Sequence, residues 1–252
     1  EAPGDLTELT LIDAVLSVSG KTAPALAWAC ATDFARQHPY DAQSVYVSAL
    51  RGILYAGNYE TATRLIRDAT LPTGEGRYDL TSLIVSEWGR YDPQKAAAWL
   101  LTLSDGSDRR QGLISLGQSW AEVDAQQAAD FAASLPPGQE RQSMLNTAVD
   151  QWAIGHPDQV GEWLLRYQQH PDFDQVVAAV ASSQHVVGRD PLLAISWADT
   201  IIDYDVRLQT LARIMDRWIT RDDETAKNFL LTSPELTPET RADLRRRLQL
   251  GD

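Results

Sequence analysis

Cysteine is almost absent: Cys30 is the only one in 252 residues. A single thiol excludes an intramolecular disulfide, so cysteine usage leaves the compartment open. Cys30 stands in an apolar run, residues 25–35, and is expected to be a buried, inert thiol. The four histidines, His38, His156, His170 and His185, are scattered, with neither HExxH nor CxxC, so no metal ligand is assigned. GxSxG, Walker A and GxGxxG are missing too. No catalytic residue and no cofactor is therefore assigned, and the chain is expected not to be an enzyme. No apolar run approaches the roughly 18 residues of a membrane span, and no membrane insertion is expected. Lysine is scarce (Lys21, Lys95, Lys227) and arginine common, as in products of GC-rich bacterial genomes. Basic residues number 22 against 35 acidic ones, for a net charge of −13. That balance argues against nucleic acid or anionic lipid, which need a basic footprint. The chain starts at Glu1 rather than Met. If a signal peptide was cleaved there, the periplasm is favoured over the cytoplasm; a cut from a larger protein would look the same.

What the chain has is a period. Trp88, Trp120 and Trp152 stand 32 residues apart, and Trp218 falls about two periods on. A second series runs Trp99, Phe131, Trp163, Trp197, Phe229, at steps of 32, 32, 34 and 32. A third runs Arg77, Arg109, Arg141, Arg207, with Asp174 in the vacant slot. Three registers sharing one period predict a repeat array, one supersecondary unit per period.

The unit reads as a helical hairpin. Leu145, Ala148, Val149 and Trp152 sit at i, i+3, i+4 and i+7, one apolar stripe on a helix. A short connector follows: Asp92-Pro93, Asp124-Ala125, His156-Pro157, Asp190-Pro191, Asp222-Asp223. Asp before Pro is a helix start, because the carboxylate accepts first-turn amides and Pro has none to leave unpaired. The second helix places a small residue one turn before its aromatic: Ala96/Trp99, Ala128/Phe131, Val160/Trp163, Ala194/Trp197, Ala226/Phe229. One hairpin cannot bury both stripes alone, so neighbours must stack. Ahead of the array, residues 6–18, 24–37 and 41–55 read as helices, and Thr237-Pro238-Glu239 opens a last one running to Leu250.

The turn at Ala56-Gly-Asn-Tyr-Glu-Thr-Ala62, followed by Ala69, resembles a tetratricopeptide repeat at its inter-helix turn. Gly57, Tyr59, Ala62 and Ala69 stand where that family often has Gly, Tyr, Ala and Ala. The resemblance implies a right-handed superhelix. In the preceding helix Tyr46, Ala49, Leu50 and Ile53 replace the family's Trp, Leu-Gly and Tyr, so no ligand-contact position is carried over.

Candidate binding residues come from the registers. Arg77/Trp88, Arg109/Trp120, Arg141/Trp152 and Arg207/Trp218 are all i, i+11, about three helical turns apart on one face. A cation at a helix start opposes the dipole, so each Arg is expected to pair with an acid of an adjacent unit, such as its connector Asp. The other reading is a row of anion-binding arginines. In the irregular unit Asp174 replaces Arg and His185 replaces Trp, which would leave either a notch for a ligand or a degenerate repeat with His185 at the surface. The Trp rows are expected in the core. Acid clusters such as Asp203-Tyr-Asp205 and Asp222-Asp223-Glu224 fall at helix starts, where acids are stabilising without any catalytic role.

The expected fold is all-α: a solenoid of about seven helix-turn-helix repeats forming one domain over 1–252. It has N-terminal hairpins at 5–70, the Trp-rich array at 77–235 and a capping helix at 237–250. The expected function is a non-enzymatic scaffold holding a protein or peptide, basic or neutral by charge, along a concave surface. The alternatives are an α/α-toroid enzyme such as a glycosidase with a carboxylate-lined pocket, and a spacer domain of a larger protein.

Overall fold

Connectors of a single residue, at His156, Asp190 and Asp222, join successive helices in this chain. A computed structural model describes residues 6–68, 75–104 and 106–249. Ala69, Asp105, Leu250, most of the 72–76 break and the side chain of Arg77 lie outside the described residues. The chain divides into two compact units, Glu1–Val123 and Asp124–Asp252. Among the described residues all regular structure is helical: fifteen α-helices and one 3₁₀ turn, with no strand.

The first unit contains α1 (Leu6–Thr22), α2 (Pro24–Gln37), α3 (Ala42–Tyr55), α4 (Tyr59–Asp68), α5 (Glu75–Trp88), α6 (Pro93–Leu100) and the first part of α7 (Ser107–Ser134). Helix α1 packs on α3, and α3 on α5. The α1–α3 crossing needs glycine: a Cβ on Gly20 would lie 2.7 Å from the Ala49 carbonyl oxygen. Between α3 and α4, Gly57 takes φ +75°, a left-handed conformation that costs a side-chain-bearing residue about 1 kcal/mol.

The second unit begins at Asp124, the non-helical residue inside α7 (φ −150°, ψ 92°). It continues through α8 (Gln139–Gly155), α9 (Pro157–Tyr167), α10 (Phe173–Ala181), α11 (Gln184–Arg189), α12 (Pro191–Ala198), α13 (Tyr204–Arg221), α14 (Asp223–Thr232) and α15 (Pro238–Arg247). Here α8 packs on α10 and α11, those two on α13, and α13 on α15, while α9, α12 and α14 each pack on the helix before them.

The same backbone recurs at every connector. Asp92, Asp124, His156, Asp190 and Asp222 have φ between −137° and −150° and ψ between 60° and 95°. At Asp92, His156 and Asp222 the residue's N–H donates to the carbonyl of Trp88, Trp152 or Trp218 four positions back, closing the first helix. Its own carbonyl accepts from Ala96, Val160 or Ala226, opening the second. The aspartates add a side-chain cap, with Lys95, Gln127, Leu193 and Thr225 donating their N–H groups at 2.9–3.2 Å. His156 has no side-chain cap.

The core follows the expected registers in part: Trp99, Phe131 and Phe229 of the second aromatic row are only half-buried. Trp88, Trp120, Trp152, Trp163, Trp197 and Trp218 are all buried, and Ala96, Ala128, Val160, Ala194 and Ala226 are completely so. Each buried large apolar side chain stabilises by about 1.5–3 kcal/mol. Side-chain contacts that join residues about one period apart include Arg90–Glu122 (3.1 Å, 32 residues), Ser119 to the Val85 carbonyl (3.4 Å, 34), Trp163 to Asp130 (2.9 Å, 33) and Arg189 to the Ile154 carbonyl (2.9 Å, 35).

Cys30 is a correction. It is exposed, because α2 turns Ala27, Trp28, Ala31 and Ala35 inward and Cys30 lies off that stripe.

Candidate functional site

The periodic arginines hold loops. Arg109 Nη1 donates to the Leu103 carbonyl (3.2 Å), Arg141 Nη1 to Leu135 (3.3 Å) and Arg207 Nη1 to Ile201 (3.1 Å). In each case the acceptor lies six residues upstream, so the guanidinium satisfies the loop leading into its own helix. The connector aspartates, expected as partners, cap helices instead. A carboxylate does join at Arg141, where Asp172 of the next hairpin forms an ion pair with its buried guanidinium. Arg109, Arg141 and Arg207 thus each spend a hydrogen bond on loop backbone, and an ion pair is seen at Arg141.

Near Arg141 the second unit brings together Asp172, Tyr167 and His170. Trp163, Tyr167 and His170 stack in sequence, with centroids 4.7 and 4.3 Å apart. Tyr167 Oη and His170 Nδ1 share a hydrogen bond of 2.8 Å. Burial, with Asp172 nearby, pushes the Tyr167 hydroxyl up to about 12. Burial, reinforced by Arg141, holds the His170 imidazole below its ordinary value. Both groups are therefore neutral near pH 7.

The irregular hairpin departs from the expected geometry. An unbroken helix would carry Asp174 and position 185 on one face. The chain instead ends α10 at Ala181 and restarts α11 at Gln184, with the Ser183 hydroxyl accepting from the Val186 amide (3.2 Å). The restart turns Val186 and Val187 into the core and leaves His185 exposed. Asp174 accepts from the Ile202 and Asp203 amides, both at 2.9 Å. Arg207 and Asp174 thus grip the same loop, residues 201–203, from two sides.

Beside His185 lies a cleft of about 450 Å³ lined by Gln184, Val187, Gly188, Arg217, Thr220 and Arg221. One period brings its walls together: Gln184 and Arg217 are 33 residues apart, as are Gly188 and Arg221. Sequence reading singled out His185 and passed over these neighbours. The available signal was the row Arg213, Arg217, Arg221, spaced by four residues on one side of α13.

Among the described residues no group of three or more His, Cys, Asp or Glu is arranged to hold a metal ion. None of their helices is long and apolar enough to cross a membrane. No protein-family model, no curated protein and no solved structure matches the chain.

Proposed function

We propose that the chain is a non-enzymatic, tetratricopeptide-like α-solenoid that holds a peptide segment of a partner protein. On this reading its helices form seven hairpins, with residues 107–134 as the fourth and α15 as a terminal cap. The supporting observation is the set of side-chain contacts within each unit, from Arg90–Glu122 to Arg189–Ile154, that join successive hairpins about one period apart. A chain stacked in this way presents side chains at regular intervals, which suits an extended ligand. The candidate arginines and Asp174 spend their hydrogen bonds on loops, which favours a shaped surface over a reactive centre.

Selection of a displayed random-peptide library on the whole chain tests this reading. Enriched peptides that slow amide exchange in a contiguous set of hairpins are expected. No enrichment, together with hydrolysis of aryl glycosides by the same preparation, would overturn it in favour of a toroid enzyme.

A further inference from the structure

We infer that the cleft between α11 and α13 is an anion site that grips carboxylates of an acidic peptide segment. This deepens the peptide-scaffold reading and rests on it.

The charge of this face runs against that of the chain. Net charge is −13, yet α13 carries Arg213, Arg217 and Arg221 in a row. Like charges at i, i+4 destabilise a helix by about 0.2–0.5 kcal/mol per pair unless something neutralises them. Arg213, Arg217 and Arg221 have no ion pair and no hydrogen bond among the described residues. Their acidic neighbours are occupied or apart: Asp190 and Asp222 accept helix-capping amides, Asp223 pairs with Lys227, and Asp216 makes no ion pair. By contrast Arg141, Arg189, Arg207 and Arg241 all reach an acceptor within the unit.

Two of the three arginines line the cleft. Arg221 lies along α11 where that helix has Gly188: a Cβ there would stand 3.3 Å from Arg221 Nη1. The Gln184 side chain makes no hydrogen bond among the described residues, so its amide is available to the same ligand. Val187 gives the cleft an apolar wall.

Two guanidinium forks beside an amide suit planar carboxylates, which they bind bidentately. Acid farther than about 8–10 Å away is screened at physiological salt, and the acidic residues that adjoin Arg217 and Arg221 in sequence do not line the cleft. Net charge alone pointed to a basic or neutral partner; the local charge of this face points to an acidic one.

The test uses the full chain and fluorescence anisotropy with fluorescein-labelled hexaglutamate and hexalysine and, as competitors, inorganic phosphate and free acetate. Hexaglutamate is expected to bind, more weakly as salt rises, with hexalysine showing no comparable binding. Arg217→Ala/Arg221→Ala should weaken it at least about tenfold, which is 1.4 kcal/mol, with an unchanged urea midpoint. His185→Ala should leave it intact. Equal binding by wild type and double variant, or no hexaglutamate binding at all, would overturn the site. Peptides selected from the random library would then still support the scaffold with its contact surface elsewhere. Phosphate displacing hexaglutamate at concentrations below those of free acetate needed for the same effect would overturn the carboxylate assignment in favour of phosphate.

Discussion

Two neighbouring hairpins of the second unit solve one problem differently. In α8–α9 a single helix runs from Arg141 to Trp152; the ring is buried, and Arg141 closes the loop behind it. In the next hairpin the first helix breaks after Ala181, and Val186 and Val187 occupy the core while His185 faces solvent. The clamp on the hairpin's own loop is not repeated: Asp174 instead accepts the Ile202 and Asp203 amides of the following loop, which Arg207 also holds, whereas Arg141 holds the loop leading into its own helix. The difference teaches that a first helix without the arginine can still spend its first-turn side chain on loop backbone, but on the loop of the following hairpin. It also shows what the break makes room for: the cleft whose wall includes Gln184 and Gly188.

The comparison breaks most visibly at its aromatic position. Trp152→Ala should lose about 3–5 kcal/mol in urea unfolding, since the ring is 4% exposed and leaves a cavity. His185→Trp, which restores the regular residue, should change stability by less than about 0.5 kcal/mol, because the new ring would sit in solvent. A gain of several kcal/mol in the second variant would mean that the irregular hairpin does keep an empty core slot.

The clamps differ next. Arg141→Leu removes a loop hydrogen bond and strands the Asp172 carboxylate, which is partly shielded from water. A loss of about 2–3 kcal/mol is expected, below the range for fully buried pairs because Asp172 keeps some solvent. Asp174→Ala should lose about 1 kcal/mol, with faster amide exchange at Ile202 and Asp203. Equal losses would remove the distinction between a buried clamp and an exposed one.

Acid and base should act through the stack behind Arg141. The His170 imidazole is held below its ordinary value, so folding favours the neutral ring. As pH falls through about 6.5 the unfolded chain takes the proton first and stability declines. Tyr167 is raised to about 12, so folding favours the neutral hydroxyl. That contribution is present below about pH 10 and is lost as pH climbs towards 12. A urea midpoint measured against pH should show both limbs, and His170→Asn should flatten the acid one.

Much of the local fold was legible in the chain. Asp-Pro pairs marked the helix starts, and the small-before-aromatic pairs marked the buried line from Ala96 to Ala226. Both signals are local: a cap needs its own first turn, and a stripe needs one helix. The partners of the arginines were not legible, because they depend on how a six-residue loop folds back, which spacing does not encode. The break at Ser182-Ser183 was hidden for a related reason. The 34-residue step shows that extra chain is present, but not that a Ser183 cap would absorb it by restarting the helix. Cys30 was misplaced because α2 is apolar on more than one side, so composition did not define its buried stripe. The cleft escaped because neither Arg217 nor Gly188 is periodic; only the pairing of hairpins one period apart brings them together.

The central claim is that the hairpins are copies of one unit, equivalent position by position. His156 tests it directly, because it has the connector backbone of Asp92, Asp190 and Asp222, is exposed, and lacks their side-chain cap. Urea unfolding of His156→Asp should show a gain of about 0.5–1 kcal/mol with an unchanged m-value. A loss of similar size would contradict the claim, because position 156 would then not be the same site as the other four.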